Sequence, residues 1–379
     1  MWGLQIAELY SAGDSRLVVS YGQQALTLAR ELGLKELTGL VLNNFAWPFG
    51  AQKKLEQSRK ELDEAQSIWR EVGDLQKLAE ASRFMLIFHS MAGDHKSMLV
   101  DAPKLSELGA SIGSRLDEIE ALLWLAYVYI RQGRFGQALD CIEQYGDYAK
   151  TIGHLNEKHG HQYARILFYL AVGALDQAEH WADQIYAERE TIPPNFISSY
   201  FVEVARTKIA CGKLEEGRAI LDELLATLPS DAAWSWMIID IAVAYGELRL
   251  ALGQPENLFS GLDQKIQPYR KAGFGRMLAD EHWLRGRAAL ALGQYEAVRA
   301  SLLKAKGAAE AQEERTILWE ILVTLGELEQ ACGDRASADK FREQARVVVD
   351  DIAAHAGQMR DVFLSQPAVA KLLSEIKGI

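Results

Sequence analysis

The stretch ALLWLAYVYIRQGRFGQALDCIEQ, Ala121 to Gln144, decides the fold. A helical stretch runs to Arg131 and Gln132, breaks at Gly133, and a second begins beside Phe135. Glycine enters left-handed backbone conformations without the steric cost other residues incur, so Gly133 reads as a tight turn between two helices. Equivalent glycines stand outward from it at 13, 93, 173, 212, 253, 293 and 333. Their successive separations, counting Gly133, are 80, 40, 40, 39, 41, 40 and 40 residues. The first gap is two periods, which places a missing break near Lys53. A fixed period of about 20–50 residues is the signature of a repeat array.

Seven residues before the turns a small residue recurs, at Ala46, Ala126, Ala205, Gly246, Gly286 and Gly326, whereas Ile6, Leu86 and Ile166 hold that place in three repeats. Five residues after the turns small residues recur again, at Ala138, Ala178, Gly217 and Ala338. Small residues on facing helices let two backbones approach, as an antiparallel hairpin requires. Each unit is therefore a helix A, a turn and a helix B. The spacing predicts an all-α chain of about nine hairpins with turns near 13, 53, 93, 133, 173, 212, 253, 293 and 333. A C-terminal capping segment over 355–379 follows, with a closing helix around Met359 to Ile376. Pro193-Pro194, Pro229 and Pro268 fall near unit boundaries, and Pro48 is expected to kink helix A of the second unit.

The quoted stretch resembles a tetratricopeptide repeat (TPR), with Leu125-Ala126, Tyr129, Gly133 and Ala138 at that family's spacing. Leu325-Gly326, Gly333, Ala338 and Ala345 repeat much of the pattern, and the period near 40 exceeds the family's usual value of about 34. The lengthened repeats resemble the C-terminal superhelix of large bacterial signal-transduction ATPases such as the maltose-regulon transcriptional activator. The ending FLSQPAVAKLL, Phe363 to Leu373, is similar to tails of such proteins. The resemblance implies a TPR-like α-solenoid, a right-handed superhelix whose A helices line a concave groove. It implies a non-catalytic module that binds a protein, peptide or small-molecule ligand there, as the sensor part of a larger bacterial signalling or transcription regulator. Ligand binding would then act by population shift. The array starts without an obvious polar N-terminal cap, which suggests a piece of a longer protein.

Composition narrows the classes. With 52 acidic against 41 basic residues the formal net charge is -11, which opposes the phosphate backbone of nucleic acid. Direct DNA or RNA binding is not expected. Cys141, Cys211 and Cys332 are too few and too scattered for a disulfide framework or a four-ligand zinc site. The start MWGLQIAELY shows no signal-peptide pattern, and the longest apolar runs, such as Leu122 to Ile130, fall short of the roughly 20 residues of a membrane span. A cytoplasmic setting without membrane contact or cofactor fits best.

Residues at one repeat position form rows across the A helices. Six residues before each turn the row reads Ala7, Trp47, Ile87, Tyr127, Leu167, Arg206, Glu247, Arg287 and Glu327. Ten residues before, it reads Asn43, Arg83, Leu123, Tyr163, Val202, Val243, Trp283 and Val323. Trp47, Ile87, Leu123, Tyr127 and Tyr163 suggest an apolar patch for an anchor side chain, although aromatic residues at helical spacing are more often core. Arg206, Glu247, Arg287 and Glu327 alternate in sign and read as an inter-repeat ladder or as polar groove contacts; exposed pairs of this kind contribute only about 0–1 kcal/mol each. A third row, thirteen before the turn, is acidic at Glu80, Glu120, Asp240, Asp280 and Glu320, and reads as helix-start carboxylates on a solvated face.

In GHLNEKHGHQYAR, His154, Glu157 and His161 could share a helical face as metal ligands, but Gly153 and Gly160 interrupt the segment and a polar helix start is the stronger reading. No phosphate-cradling glycine loop, G-x-S-x-G elbow or H-E-x-x-H motif occurs. Two rival binding readings remain. One is a peptide-pheromone receptor of the quorum-sensing type, a family that clamps peptide backbones with asparagines of successive A helices; here only Asn43 and Asn44 are placed for that. The other is a structural assembly scaffold.

Overall fold

At several junctions a glycine ends one helix and an aspartate begins the next. Gly73, Gly93 and Gly333 hold left-handed φ angles of 79°, 68° and 86°. The aspartate after each one starts the next helix, because the Asp74, Asp94 and Asp334 carboxylates accept the backbone N–H of Lys77, Ser97 and Ser337, each at 3.0 Å. One dipeptide therefore closes one helix and caps the next.

The computed structural model describes residues 1–5, 15–45, 54–153, 155–192, 194–228 and 237–377. Among these no strand occurs, and no helix is long and apolar enough to cross a membrane. The helices are α1 (Ser15–Glu31), α2 (Lys35–Asn43), α3 (Leu55–Val72), α4 (Leu75–Ala92), α5 (His95–Ile112), α6 (Arg115–Arg131), α7 (Phe135–Ile152), α8 (Leu155–Val172) and α9 (Leu175–Ala187). They continue as α10 (Pro194–Ala210), α11 (Leu214–Thr227), α12 (Ile238–Ala251), α13 (Asp263–Lys271), α14 (Leu278–Ala291), α15 (Tyr295–Gln312), α16 (Arg315–Ala331) and α17 (Arg335–His355). Two short helices, α18 (Arg360–Leu364) and α19 (Pro367–Lys377), end the chain.

Helices pack on the next in the chain, as α2 on α3, α8 on α9, α14 on α15 and α16 on α17, the arrangement of a TPR-like helical repeat. The seven predicted turns from 93 to 333 all fall between an A helix and its B helix, and each glycine there has positive φ. The turns predicted near 13 and 53, with Pro48, Pro193 and Pro229, lie outside the described residues. B helices bury one stripe, as in α15 with Val298, Leu302, Ala305 and Ala309. A helices are packed on several sides: α16 buries Ile317, Trp319, Ile321, Leu322, Thr324, Leu325 and Leu328.

Two expectations need correction. Pro268 lies inside α13 instead of at a boundary, in a helix of only 9 residues where few intrahelical hydrogen bonds are lost. The closing segment is not one helix: α17 runs on to His355, and α18 and α19 are separated at Ser365 and Gln366 because Pro367 must begin a helix afresh.

By packing, the chain divides into two compact units. The first comprises 1–124, 225–239 and 261–276. Its core gathers Leu26, Val41, Leu42, Phe45 and Trp69. After α13 a short strap returns to α4, where the Gly275 and Arg276 amides donate to the Met91 carbonyl at 3.1 and 3.3 Å and Arg276 Nη1 donates to Ser90 Oγ at 2.8 Å. The second unit comprises 125–224, 240–260 and 277–379. There the C-terminal segment packs on α7 and α8. Phe363 packs on Phe135 at 5.7 Å between ring centroids, and Gln366 Nε2 donates to the Val172 carbonyl at 2.7 Å.

Candidate functional site

In the second unit, A helices far apart in sequence send charged side chains to one another. Arg131, the last residue of α6, donates to both carboxylate oxygens of Asp280 in α14, at 3.0 and 2.5 Å, and through Nε to Glu314 at 3.2 Å. Glu314 immediately precedes α16. All three side chains are nearly buried. Arg206 of α10 donates to Glu247 of α12 at 2.7 and 2.9 Å, and to Glu203 one turn earlier at 3.2 Å. Arg285 pairs with the buried Glu281 on α14 itself at 3.0 Å.

Buried charges persist only when paired and hydrogen-bonded. Burial opposes the charge on Arg131, yet Asp280 and then Glu314 outweigh it and hold the guanidinium protonated well above its ordinary range. Burial likewise opposes ionisation of Asp280, and Arg131 keeps that carboxyl below the usual carboxylate range. Arg206 is held protonated in the same way by Glu247 and Glu203.

Glu320 of α16 behaves differently. Among the described residues its carboxyl group has no hydrogen bond or ion pair. Burial pushes it up to about 7, against the pull of Arg287 and Arg206, with Asp280 and Glu247 raising it further. Those four residues lie on α10, α12 and α14, so the A-helix faces converge on a common space. Beside it, Trp283 Nε1 donates to Thr324 Oγ1 at 3.1 Å, and Thr324 Oγ1 donates to the Glu320 carbonyl at 2.8 Å. Arg287 lies over the Trp283 ring, 5.3 Å from its centroid, and is solvent-exposed. Tyr163 of α8 and Tyr200 of α10 stack at 5.0 Å between centroids.

The residues predicted for one groove divide between the units. Trp47 lies outside the described residues. In the first unit Ile87, Arg83 and Leu123 are half-buried, and Arg83 pairs with Asp117 at 3.0 Å. Asn43 is a correction: it is 1% exposed and accepts a hydrogen bond from Trp69 Nε1 at 3.3 Å, so the ring of the neighbouring helix holds it in the core. Asn44 is also buried, donating to the Leu40 carbonyl, which leaves neither asparagine free to clamp a peptide. In the second unit Tyr127 is 8% exposed and belongs mostly to the core, while Tyr163, Arg206, Glu247 and Trp283 are half-buried. The predicted charge ladder forms between Arg206 and Glu247 and stops there, since Arg287 turns to Trp283.

The acidic row is the larger correction. Asp240 and Asp280 are each 5% exposed, not solvated, and Asp280 anchors the Arg131 network. Arg131, Glu203, Glu314 and Glu320 were not singled out as site residues; the recurring acid at Asp280 and Glu320 was the available signal. Near His161, the ring packs against Tyr145 and Trp181 at 5.9 and 6.1 Å and accepts from Arg165 Nε at 3.1 Å. Burial, then Arg165, pushes it down to about 4. Among the described residues no group of three or more His, Cys, Asp or Glu side chains is arranged to hold a metal ion, and His154 lies outside them.

No protein-family model matches the chain, and no curated protein sequence does. Solved structures do match. One is a Rap protein complexed with competence and sporulation factor, with a TM-score of 0.52 and 14% identity over 90% of this chain and 98% of that one. The chain has a Rap-like fold. At that identity the likeness reaches the helical repeat architecture along nearly the whole length, and the charged network rests on this chain's own residues.

Proposed function

We propose that the chain is a non-catalytic binding module whose ligand is a peptide, lodged on the converging A-helix faces of the second unit. The observation that carries the reading is the Rap-like fold, because the Rap protein of the same architecture holds a factor in complex. The chemistry of the faces supports a peptide. Half-buried Tyr163 and Trp283 offer amphipathic ring surface, and Arg206, Glu247, Glu320 and Arg287 offer polar groups of both signs to a backbone or side chain. Of the readings weighed from sequence, this favours the peptide-receptor type, with a groove chemistry that does not use Asn43 or Asn44. In the larger reading, which rests on the resemblance of the lengthened repeats, the module is the sensor of a bacterial signalling regulator.

The test is affinity selection of a random hexapeptide pool on the purified chain, read by mass spectrometry. Peptides are expected to be retained, and Trp283→Ala with Tyr163→Ala to lower retention by about tenfold or more, as anchor aromatic residues do. A wild-type chain that retains no peptide above an albumin control sinks the proposal.

A further inference from the structure

Most arginines on the A-helix faces of the second unit have a protein partner. Arg131 has Asp280 and Glu314, Arg206 has Glu247 and Glu203, Arg285 has Glu281, and Arg249 donates to the Leu258 and Ser260 carbonyls. Arg287 stands apart. Among the described residues no carboxylate lies within 4.0 Å of its guanidinium and it makes no hydrogen bond.

Its guanidinium does lie over an aromatic ring. It stacks on Trp283, whose indole N–H is fixed by Thr324, itself bonded to the Glu320 carbonyl on α16. A guanidinium immobilised on an aromatic ring has lost part of its rotamer freedom before any ligand arrives, so less is lost on binding. Its five donors form a planar fork that matches a carboxylate in two parallel hydrogen bonds. The acid best placed to serve as its counterion is Glu320, and burial, with the nearby Asp280 and Glu247, raises that carboxyl to about 7, so that it carries only about half a charge at neutrality. Asp280 and Glu247 are themselves engaged by Arg131 and Arg206.

We propose that Arg287 is the receptor for a carboxylate of the bound peptide, either its C-terminus or an Asp or Glu side chain, an assignment that rests on the peptide-binding reading above. Trp283 and Thr324 are positioning residues that hold the fork towards the space in front of Glu320.

The experiment uses the full chain and two random hexapeptide pools, one with free C-termini and one with C-terminal amides, selected at pH 7 and read by mass spectrometry. Wild type is expected to retain carboxylate-bearing peptides about tenfold above peptides with no carboxylate, the size of a charge-assisted contact. Arg287→Ala is expected to remove that excess while still retaining peptides; Arg287→Gln, which keeps the side-chain length, takes its place if circular dichroism shows the alanine variant misfolded. Loss of discrimination between the two pools assigns the peptide terminus, whereas Asp and Glu enrichment within the amidated pool assigns a side chain. Retention with no carboxylate excess, or an excess that survives in both variants, overturns the role of Arg287 and leaves the peptide reading standing. Retention of no peptide by wild type overturns both.

Discussion

A carboxyl group that holds its proton near neutrality ties stability to pH. Glu320 goes from about 4.5 in an open chain to about 7 in the folded one, facing Arg287 and Asp280 from α14, Glu247 from α12 and Arg206 from α10. Between those values the folded state binds more protons than the unfolded state, so stability falls as pH rises through the window. The cost is absent below about 4.5 and complete above about 7. Glu320→Gln removes it. Urea unfolding is expected to show the variant equal to wild type at pH 4.5 and more stable by at least about 1 kcal/mol at pH 8; equal stability at both pH values would contradict the partnerless placement of this side chain. At this scale the sequence was only half legible. Trp283 and Arg287 stood out in their rows, but an acid at a helix start looks the same whether it meets water or the faces of three other helices.

At the scale of the helix, two glycines of equal appearance have opposite roles. A methyl group added at Gly286 in α14 would come within 2.5 Å of Leu302 in α15, whereas one added at Gly307 in α15 meets nothing within 4 Å. Gly286→Ala is expected to destabilise by about 1–3 kcal/mol through overpacking. Gly307→Ala is expected to stabilise by about 0.5–1 kcal/mol, since glycine inside a helix is otherwise a loss. Thermal unfolding of the pair checks both signs, and a neutral Gly286→Ala would mean that the two helices sit further apart. Gly286 was legible because it recurs seven residues before a turn; Gly307 belongs to no such series. The B-to-A junctions were harder to read. Gly33, Gly73, Gly113 and Gly153 hold positive φ at 40-residue intervals and Gly273 falls on the same count, but Pro193, Ala233 and Glu313 interrupt the series in the sequence, Glu313 with a φ of 58°.

On the scale of the molecule, the ties at Arg131 separate this chain from an array in which each repeat touches only its neighbours. Asp280 and Glu314 lie 149 and 183 residues beyond it. Arg131→Ala strands two buried carboxylates and is expected to cost about 3–5 kcal/mol in urea unfolding. Arg218→Ala, at an exposed pair within α11, is expected to change stability by less than about 0.5 kcal/mol. Similar small losses for both would show that the network adds little to stability. A repeat period encodes succession along the chain, so the order of hairpins could be read from glycines, whereas contacts that skip several repeats leave no periodic trace.

The same ties set a timetable for synthesis. A ribosome adding about 5–20 residues per second takes roughly 10 to 40 s to deliver Glu314 after Arg131. Before Asp280 of α14 is made the guanidinium is left to water, and until Glu314 follows, one of its two carboxylate partners does not exist. The hairpin of α6 and α7 is therefore made early and finished late, locking only once α14 and the start of α16 have left the ribosome.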